Sequence, residues 1–126
     1  MILCYPVTTG KRGIGHAGSF AMLCGSENPT DEQLAALSLE NLVDERTSPA
    51  FIMHTADDGL VNVEGSFYFA EALSRAKIPL EMRIYHHAAH GVALGNAITA
   101  NNYAEFDNPA IARWVSDAAE WASQMK

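Results

Sequence analysis

The chain has 126 residues, a formal net charge of −7 at neutral pH and 48% hydrophobic residues. This length allows one small domain, and this hydrophobic content is enough for a packed core, which excludes an intrinsically disordered chain. The acidic balance argues against nucleic acid and anionic membrane surfaces as partners, because both are bound through clustered Lys and Arg.

The cysteines and the apolar runs indicate the cellular compartment of the protein. Cys4 and Cys24 lack the C-x-x-C spacing of a zinc ribbon and predict reduced thiols rather than a disulfide framework. No apolar run approaches the roughly 20 residues that a transmembrane helix needs. Because the first residues also lack the basic region of a signal peptide, we expect a cytoplasmic protein without a membrane partner.

The first part of the chain predicts one strand followed by a helical segment. "ILCYPV" (2–7) is a continuous apolar run that is typical of a buried strand. Residues 8–48 begin as a glycine-rich loop, and Thr30 and Gln33 then have the spacing of a capping box, which predicts a helix start. A second helical turn is expected in "SLENLV". The apolar side of the predicted helix is Leu34 and Leu37.

The second part of the chain predicts two strands with a helix between them. "PAFIMHT" (49–55) is typical of a buried strand, and Asn62 is placed to cap a helix that runs from Val63 to about Lys77. In "IPLEMRIYHH" (78–87), apolar and polar residues alternate as in a strand with one wetter face. The apolar face of the predicted helix is Val63, Phe67, Ala70 and Leu73.

A last helix is predicted to begin at Asn108-Pro109, since proline is favoured at the first helical position. Its buried stripe is expected to be Ile111, Trp114, Val115, Ala118, Trp121 and Ala122. The alternation of strands and helices predicts an α/β fold with a parallel sheet.

The chemistry is expected at the carboxyl ends of the strands, where ligands bind in such sheets. "HTADDGLV" (54–61) lies at the end of the second predicted strand, and "HHAAHG" (86–91) lies at the end of the third. Neighbouring strands bring their ends together, so we expect these two loops to be close in space.

Asp58 and His90 are the residues of these loops that could form an acid–base pair. A carboxylate can accept a hydrogen bond from a histidine N–H and stabilise the imidazolium that forms when the ring takes a proton. Gly59 and Gly91 follow them and permit tight turns. The alternative is structural: Asp57 and Asp58 could cap the following helix, and His90 could be an ordinary loop residue.

A metal-binding domain is a further alternative, because zinc ligand types are concentrated in the two loops. His86 and His90 have a His-x-x-x-His spacing, but this spacing needs a helix to bring both rings to one side, whereas His86 is predicted to end a strand. We therefore expect no metal ion and no cofactor. The full set of candidate ligands is His86, His87, His90, Asp57 and Asp58.

The segment "HTADDGLVNVEGSFYFAEALSRAKIPLEMRIYHHAAHG" resembles the acid-to-histidine segment of α/β-hydrolases. The similarity is to the esterase and acetyl-esterase branch, which is related to dienelactone hydrolases and prolyl-oligopeptidase-like enzymes. His54, Asp58 and Val61 match the pattern H-x-x-x-D-x-x-V-P, Asn62 stands where proline is usual, and His90-Gly91 match the histidine turn.

The resemblance implies a partial α/β-hydrolase fold, with three parallel strands and flanking helices in a single domain over residues 1–126. It implies a lid-like helical insertion at 8–48, with the acid and histidine strands and the final helix at 49–126. It also implies that Asp58 is the acid and His90 the base of an ester hydrolase, and that His54 packs under the acid loop. Short-chain acyl esters or acetylated carbohydrate esters are the implied substrates.

The nucleophile of such a hydrolase is not evident in the sequence. The family places it on a G-x-S-x-G elbow ahead of the acid and the base, and no serine here has both flanking glycines. We therefore expect a carboxyl-terminal half that needs a serine and an oxyanion hole from elsewhere. We also expect self-association through the edge of strand 2–7. The alternative function is a non-catalytic remnant or interaction module.

Overall fold

The computed structural model describes residues 1–100 and 103–125, and within them it contains one parallel sheet of three strands, which neighbour each other in chain order. Ile52 in the central strand pairs with Leu3 on one side and with Met82 on the other. The predicted α/β fold class, three parallel strands with flanking helices, is confirmed. The strands are β1 (Ile2–Cys4), β2 (Ala50–Thr55) and β3 (Leu80–Tyr85).

Helices lie between the strands and after the last one. In the parts of the chain that the structure describes, no helix is long and apolar enough to cross a membrane. The helices are α1 (Ala17–Cys24), α2 (Asp31–Leu37), α3 (Glu64–Arg75), α4 (Ala97–Ala100), α5 (Pro109–Ala112) and α6 (Trp114–Gln124), with 3-10 turns at Leu39–Asn41 and Ala104–Phe106.

The core lies on the two faces of β2, because every residue of this strand is buried. Successive side chains of a strand point to opposite faces, so Phe51 and Ile52 enter different clusters. Burying one such side chain stabilises the fold by about 1.5–3 kcal/mol. One cluster contains Phe51, Met53, Ala88, Val92, Ile111, Ala118 and Trp121. The other contains Ala50, Ile52, Phe69, Leu73 and Ile78.

Strand β1 is shorter than predicted, so the expectation of a strand over 2–7 is wrong beyond Cys4. Tyr5 has a φ of 39°, in the left-handed region that a strand cannot use. The N–H of Tyr5 still donates to Met53 O at 2.6 Å, but Pro6 has no N–H with which to continue the pairing.

The segment 8–48 contains two helices, of which α2 was predicted, whereas α1 begins at Ala17 inside the stretch that was expected to be a glycine-rich loop. Thr30 Oγ1 accepts a hydrogen bond from the Gln33 N–H, and the Gln33 side chain accepts one from the Thr30 N–H, which confirms the capping box. The second helical turn is the 3-10 turn Leu39–Asn41. The Gly10 N–H donates to Ser38 Oγ at 2.8 Å and joins the entry loop to the end of α2. A lid-like role for this segment stays a prediction.

Helix α3 buries a different face from the predicted one. Leu73 is buried as expected, but Phe67 is 46% exposed, and the side chains of Ser66 and Phe69 face the core instead. Two close contacts orient the helix this way. Ser66 Oγ lies 2.8 Å from a buried histidine, and a Cβ at Gly65 would lie 3.0 Å from Thr8 Oγ1.

The carboxyl-terminal helix is divided at Arg113 into α5 and α6. Asn108 caps α5 through its side chain, and Pro109 follows at the first helical position, as predicted. Val115 is 41% exposed and Ala122 is also exposed, so the predicted buried stripe is wrong at these two positions. Sequence periodicity also gave no indication of the short helix α4.

Candidate active site

The acid loop, which follows β2 and carries Asp58, and the histidine loop (86–91), which follows β3 and carries His90, meet at the carboxyl ends of these two strands. The Ala56 N–H donates to Tyr85 O at 2.8 Å, which holds the two strand ends together. Beyond this bond, Asp58 and His90 are joined by a contact of 2.8 Å between Oδ2 and Nδ1, although 32 positions separate them in the chain. The structure therefore brings together the two residues that the sequence selects.

The carboxylate of Asp58 is held as an anion. Its side chain is fully buried, and Oδ1 accepts hydrogen bonds from the N–H groups of Leu60 and Val61, both at 2.9 Å. Burial by itself would raise the pKa of Asp58, but the N–H of Val61, the His90 ring and the N–H of Leu60 together hold that pKa below its ordinary value. At neutral pH, Asp58 can therefore accept a hydrogen bond from the N–H of a histidine ring.

The ring of His90 is oriented on two sides. Because an ionised Asp58 can only accept, Nδ1 of His90 is the N–H donor, and Nε2 is left for another partner. The ring of Tyr5 lies edge-on at 4.7 Å between centroids and 65° between planes. The side chain of His90 is 26% exposed, so the imidazole remains reachable. Sequence reasoning missed Tyr5, whose only signal is its position at the end of β1.

The predicted turns after the two residues differ from each other. Gly91 has a φ of 85°, a conformation that favours glycine. Gly59 is not among the residues with positive φ, so the turn after Asp58 does not depend on the freedom of glycine. That turn is instead held by the two backbone N–H groups on the Asp58 carboxylate.

His54 is a buried histidine beneath the acid loop, where the sequence pattern predicts it. Its Nε2 lies 3.0 Å from Val61 O, which only accepts, so Nε2 carries the proton and Nδ1 accepts from Ser66 Oγ at 2.8 Å. Burial lowers the pKa of His54, which keeps the ring neutral. Nε2 is also 3.3 Å from Asp58 Oδ2, so His54 supports the acid from below.

The order Ser66, His54, Asp58 resembles a catalytic triad in its contacts alone. Ser66 and His54 are both 0% exposed, however, and the hydroxyl of Ser66 is directed to the ring. No substrate can reach that oxygen while the chain is folded. We therefore assign His54 and Ser66 to the support of the acid loop.

A second aspartate–histidine pair lies beside the first one. His87 Nδ1 contacts Asp57 Oδ2, and the side chains of both residues are largely exposed. The hydrogen bond from His87 lowers the pKa of Asp57, and the N–H of Ala88 adds to this effect. The structural alternative for Asp57, a cap on the following helix, is not observed, because both carboxylate oxygens bind the histidine loop.

The candidate metal ligands do not converge. Within residues 1–100 and 103–125, no group of three or more His, Cys, Asp or Glu side chains has the geometry of a metal site. His86 is exposed next to the pair formed by His87 and Asp57, and His90 is engaged by Asp58.

The serines do not complete a triad with His90 in the described part of the chain. Ser19 lies 2.9 Å from His16 Nδ1, and this histidine caps the start of α1. Ser38 and Ser66 are buried and bound elsewhere. The remaining serines also make no hydrogen bond to His90: Ser26, Ser48, Ser74, Ser116 and Ser123.

Comparison with known proteins identifies the family. The family model of the prolyl oligopeptidase family matches residues 20–108, which include both loops of the site. The endo-1,4-beta-xylanase B of Butyrivibrio fibrisolvens is 44% identical over 96 residues, which are 76% of this chain and 15% of the xylanase.

Two solved structures of hydrolases are similar to nearly the whole chain. The acetyl ester-xyloside bifunctional hydrolase of Caldicellulosiruptor lactoaceticus matches 98% of this chain with a TM-score of 0.85 and 33% identity. A sugar hydrolase from Lactococcus lactis matches the same share with a TM-score of 0.79 and 32% identity. This chain spans 41% and 46% of those two proteins. The chain therefore has an α/β-hydrolase fold and belongs to the prolyl oligopeptidase family.

Proposed function

We propose that this chain supplies the acid and the base of a serine ester hydrolase, with Asp58 as the acid and His90 as the base. The observation that carries the proposal is the 2.8 Å contact between Asp58 Oδ2 and His90 Nδ1, at the carboxyl ends of two parallel strands. In a triad, the carboxylate binds Nδ1 and the hydroxyl nucleophile faces Nε2. Asp58 likewise contacts Nδ1 of His90, which leaves Nε2 to face a nucleophile.

The mechanism follows from the two ring nitrogens. His90 Nε2 takes the proton of an attacking serine hydroxyl, and the imidazolium that forms donates its Nδ1–H to Asp58. The hydroxyl oxygen attacks the ester carbonyl, and His90 then returns the proton to the departing alcohol. Water is activated by the same nitrogen to release the acyl group. Asp58 stays ionised throughout, because backbone N–H groups already stabilise its charge.

The serine and the oxyanion hole are proposed to come from a polypeptide segment outside these residues. Support for this comes from the lengths of the relatives, since the chain spans less than half of the two solved hydrolases described above. Their names also support acetylated or other short-chain carbohydrate esters as the substrate class, with the 33% identical acetyl ester-xyloside hydrolase as the stronger indication.

The free edge of β1 is where we propose that such a segment, or a second copy of the chain, pairs. Among the described residues, β1 pairs with β2 alone, and Met1 and Ile2 are 42% and 49% exposed. An open apolar edge of this kind favours strand addition. We expect concentration-dependent association in light scattering, weakened by I2K. A monomer at every concentration would contradict self-association.

The function is tested by grafting. This chain replaces the matched region of the Caldicellulosiruptor enzyme. The resulting graft retains that enzyme's own preceding segment. We expect hydrolysis of p-nitrophenyl acetate that a fluorophosphonate abolishes, and we expect the H90Q graft to be inactive. The control is D31N, which removes an exposed carboxylate paired with Arg12. A graft that melts cooperatively without activity, or an active H90Q graft, would contradict the proposal.

The chain alone provides the complementary assay. Without an accessible serine beside His90, we expect p-nitrophenyl acetate hydrolysis no faster than that of free imidazole at the same concentration. Turnover that a fluorophosphonate abolishes in the isolated chain would show that the nucleophile lies within it, and would overturn this part of the proposal.

A further inference from the structure

The histidine loop leaves the sheet before it reaches the base. Strand β3 ends at Tyr85, and His90 lies five positions further along the chain. Between them, Ala88 is 3% exposed and packs in the same core cluster as Phe51. The polar backbone groups of a buried residue need partners, and the pairing of β2 with β3 has already ended at Thr55 and Tyr85.

Side chains from the end of β2 supply those partners. The hydroxyl of Thr55 donates to Ala88 O at 3.0 Å, and Asp57 Oδ1 accepts from the Ala88 N–H at 3.2 Å. The backbone N–H and C=O of Ala88 therefore both bind side chains at or just after the end of β2, and these two bonds fix the first turn of the histidine loop. Ala88 lies two positions before His90, so its location restricts where the imidazole can lie.

The second oxygen of Asp57 acts on the same loop. Asp57 Oδ2 contacts His87 Nδ1, and the amide of Asn108 donates to His87 O at 3.3 Å. The carboxylate of Asp57 thus engages two consecutive residues of the histidine loop. By contrast, Asp58 uses one oxygen within its own loop, and its other oxygen contacts His90 at 2.8 Å and His54 at 3.3 Å.

We propose that Asp57 is a positioning residue for His90, which fastens the turn at Ala88 so that Nδ1 of His90 meets the carboxylate of Asp58. The inference rests on the proposed function only in taking the Asp58–His90 pair as the working pair. Asp57 does not touch the reacting atoms. Of its two contacts, the bond to the buried Ala88 N–H carries the effect, and the exposed contact with His87 adds little.

The test is the tautomer of His90 in the isolated chain at pH 8, read from the two-bond nitrogen–proton correlations of its ring by NMR. We expect the Nδ1–H form to dominate in the wild-type chain and to be lost in D58N. In D57A, we expect its fraction to fall towards that of D58N. D57N restores it, because the amide oxygen still accepts from the Ala88 N–H.

Two further variants keep the test decisive. H87A removes the exposed contact alone, and we expect it to leave the tautomer unchanged. If D57A does not fold, D57E takes its place, because it retains the charge but moves the carboxylate by one methylene. We expect D57E to reduce the Nδ1–H fraction as well. The control D31N should behave as the wild type.

The outcomes separate the two proposals. If the wild-type chain lacks a dominant Nδ1–H form, the Asp58–His90 pair itself is refuted. If the wild type has that form and D57A or D57E retains it, only the role of Asp57 is refuted, even when the melting temperature falls. A lower melting temperature with an unchanged tautomer is the result of a merely structural residue.

Discussion

Two aspartate–histidine pairs lie side by side in this fold, and they differ mainly in burial. The side chains of Asp58 and His90 are 0% and 26% exposed, whereas those of Asp57 and His87 are 43% and 76% exposed. Exposed ion pairs contribute little because water screens them, while a buried carboxylate with a full set of donors holds its partner firmly. The same two residue types therefore suit different tasks.

The largest expected effect separates the two aspartates in the grafted enzyme. D58N should reduce kcat by about 10⁴-fold, the size found when the orienting aspartate of a serine protease triad is changed to asparagine. D57N should stay within about tenfold, because the amide still binds the Ala88 N–H. Steady-state kinetics with p-nitrophenyl acetate measure both. Equal losses in the two variants would remove the distinction between the pairs.

The next effect tests the support beneath the buried pair. H54A should lower the free energy of unfolding by about 2–4 kcal/mol, because it opens a cavity and leaves Ser66 and Val61 O without their partner. Urea unfolding of the isolated chain measures it, and H86A, at an exposed position, is the matched control. A loss no larger than that of H86A would show that the acid loop does not need this histidine.

The pH dependence of stability distinguishes the aspartates without any assay of activity. The folded-state pKa of Asp58 lies below its ordinary value of about 3.9, so its contribution to stability is complete above that value and is lost as the pH falls through the folded pKa. The pKa of Asp57 is lowered in the same direction, but water screens this exposed group. The decrease in the free energy of unfolding from pH 6 to pH 2 should therefore be smaller in D58N than in D57N. The reverse order would contradict the assignment.

The smallest effect is expected for the exposed ring. H87A should leave the urea midpoint of the isolated chain at pH 7 within experimental error, since its contact with Asp57 is open to solvent. A clear loss of stability in H87A would mean that the exposed pair is more than an accessory contact.

The sequence predicted most of what depends on strand ends. Alternation of strands and helices was sufficient to place Asp58 and His90 at adjacent carboxyl ends, and the structure joins them. The capping box at Thr30 and the cap at Asn108 were also predictable, because both are local hydrogen-bonding patterns.

What the sequence did not predict depends on tertiary contacts. The predicted buried face of α3 was wrong at Phe67. The rotation of the helix is decided by the hydrogen bond between Ser66 and His54 and by the close approach of Gly65 to Thr8. The predicted end of β1 was wrong because the backbone of Tyr5 adopts a left-handed conformation. The contact of Tyr5 with His90 and the two bonds of Ala88 join distant segments, and no spacing in the sequence indicates them.

The central claim is that Asp58 and His90 act as one acid–base pair, and a double-mutant comparison in the grafted enzyme tests it most directly. The measurement is kcat for p-nitrophenyl acetate in D58N, in H90Q and in the double variant. Residues that act as a unit give losses that do not add. We therefore predict that the double variant loses no more than H90Q alone. Losses that multiply would contradict the claim, because the two side chains would then act independently.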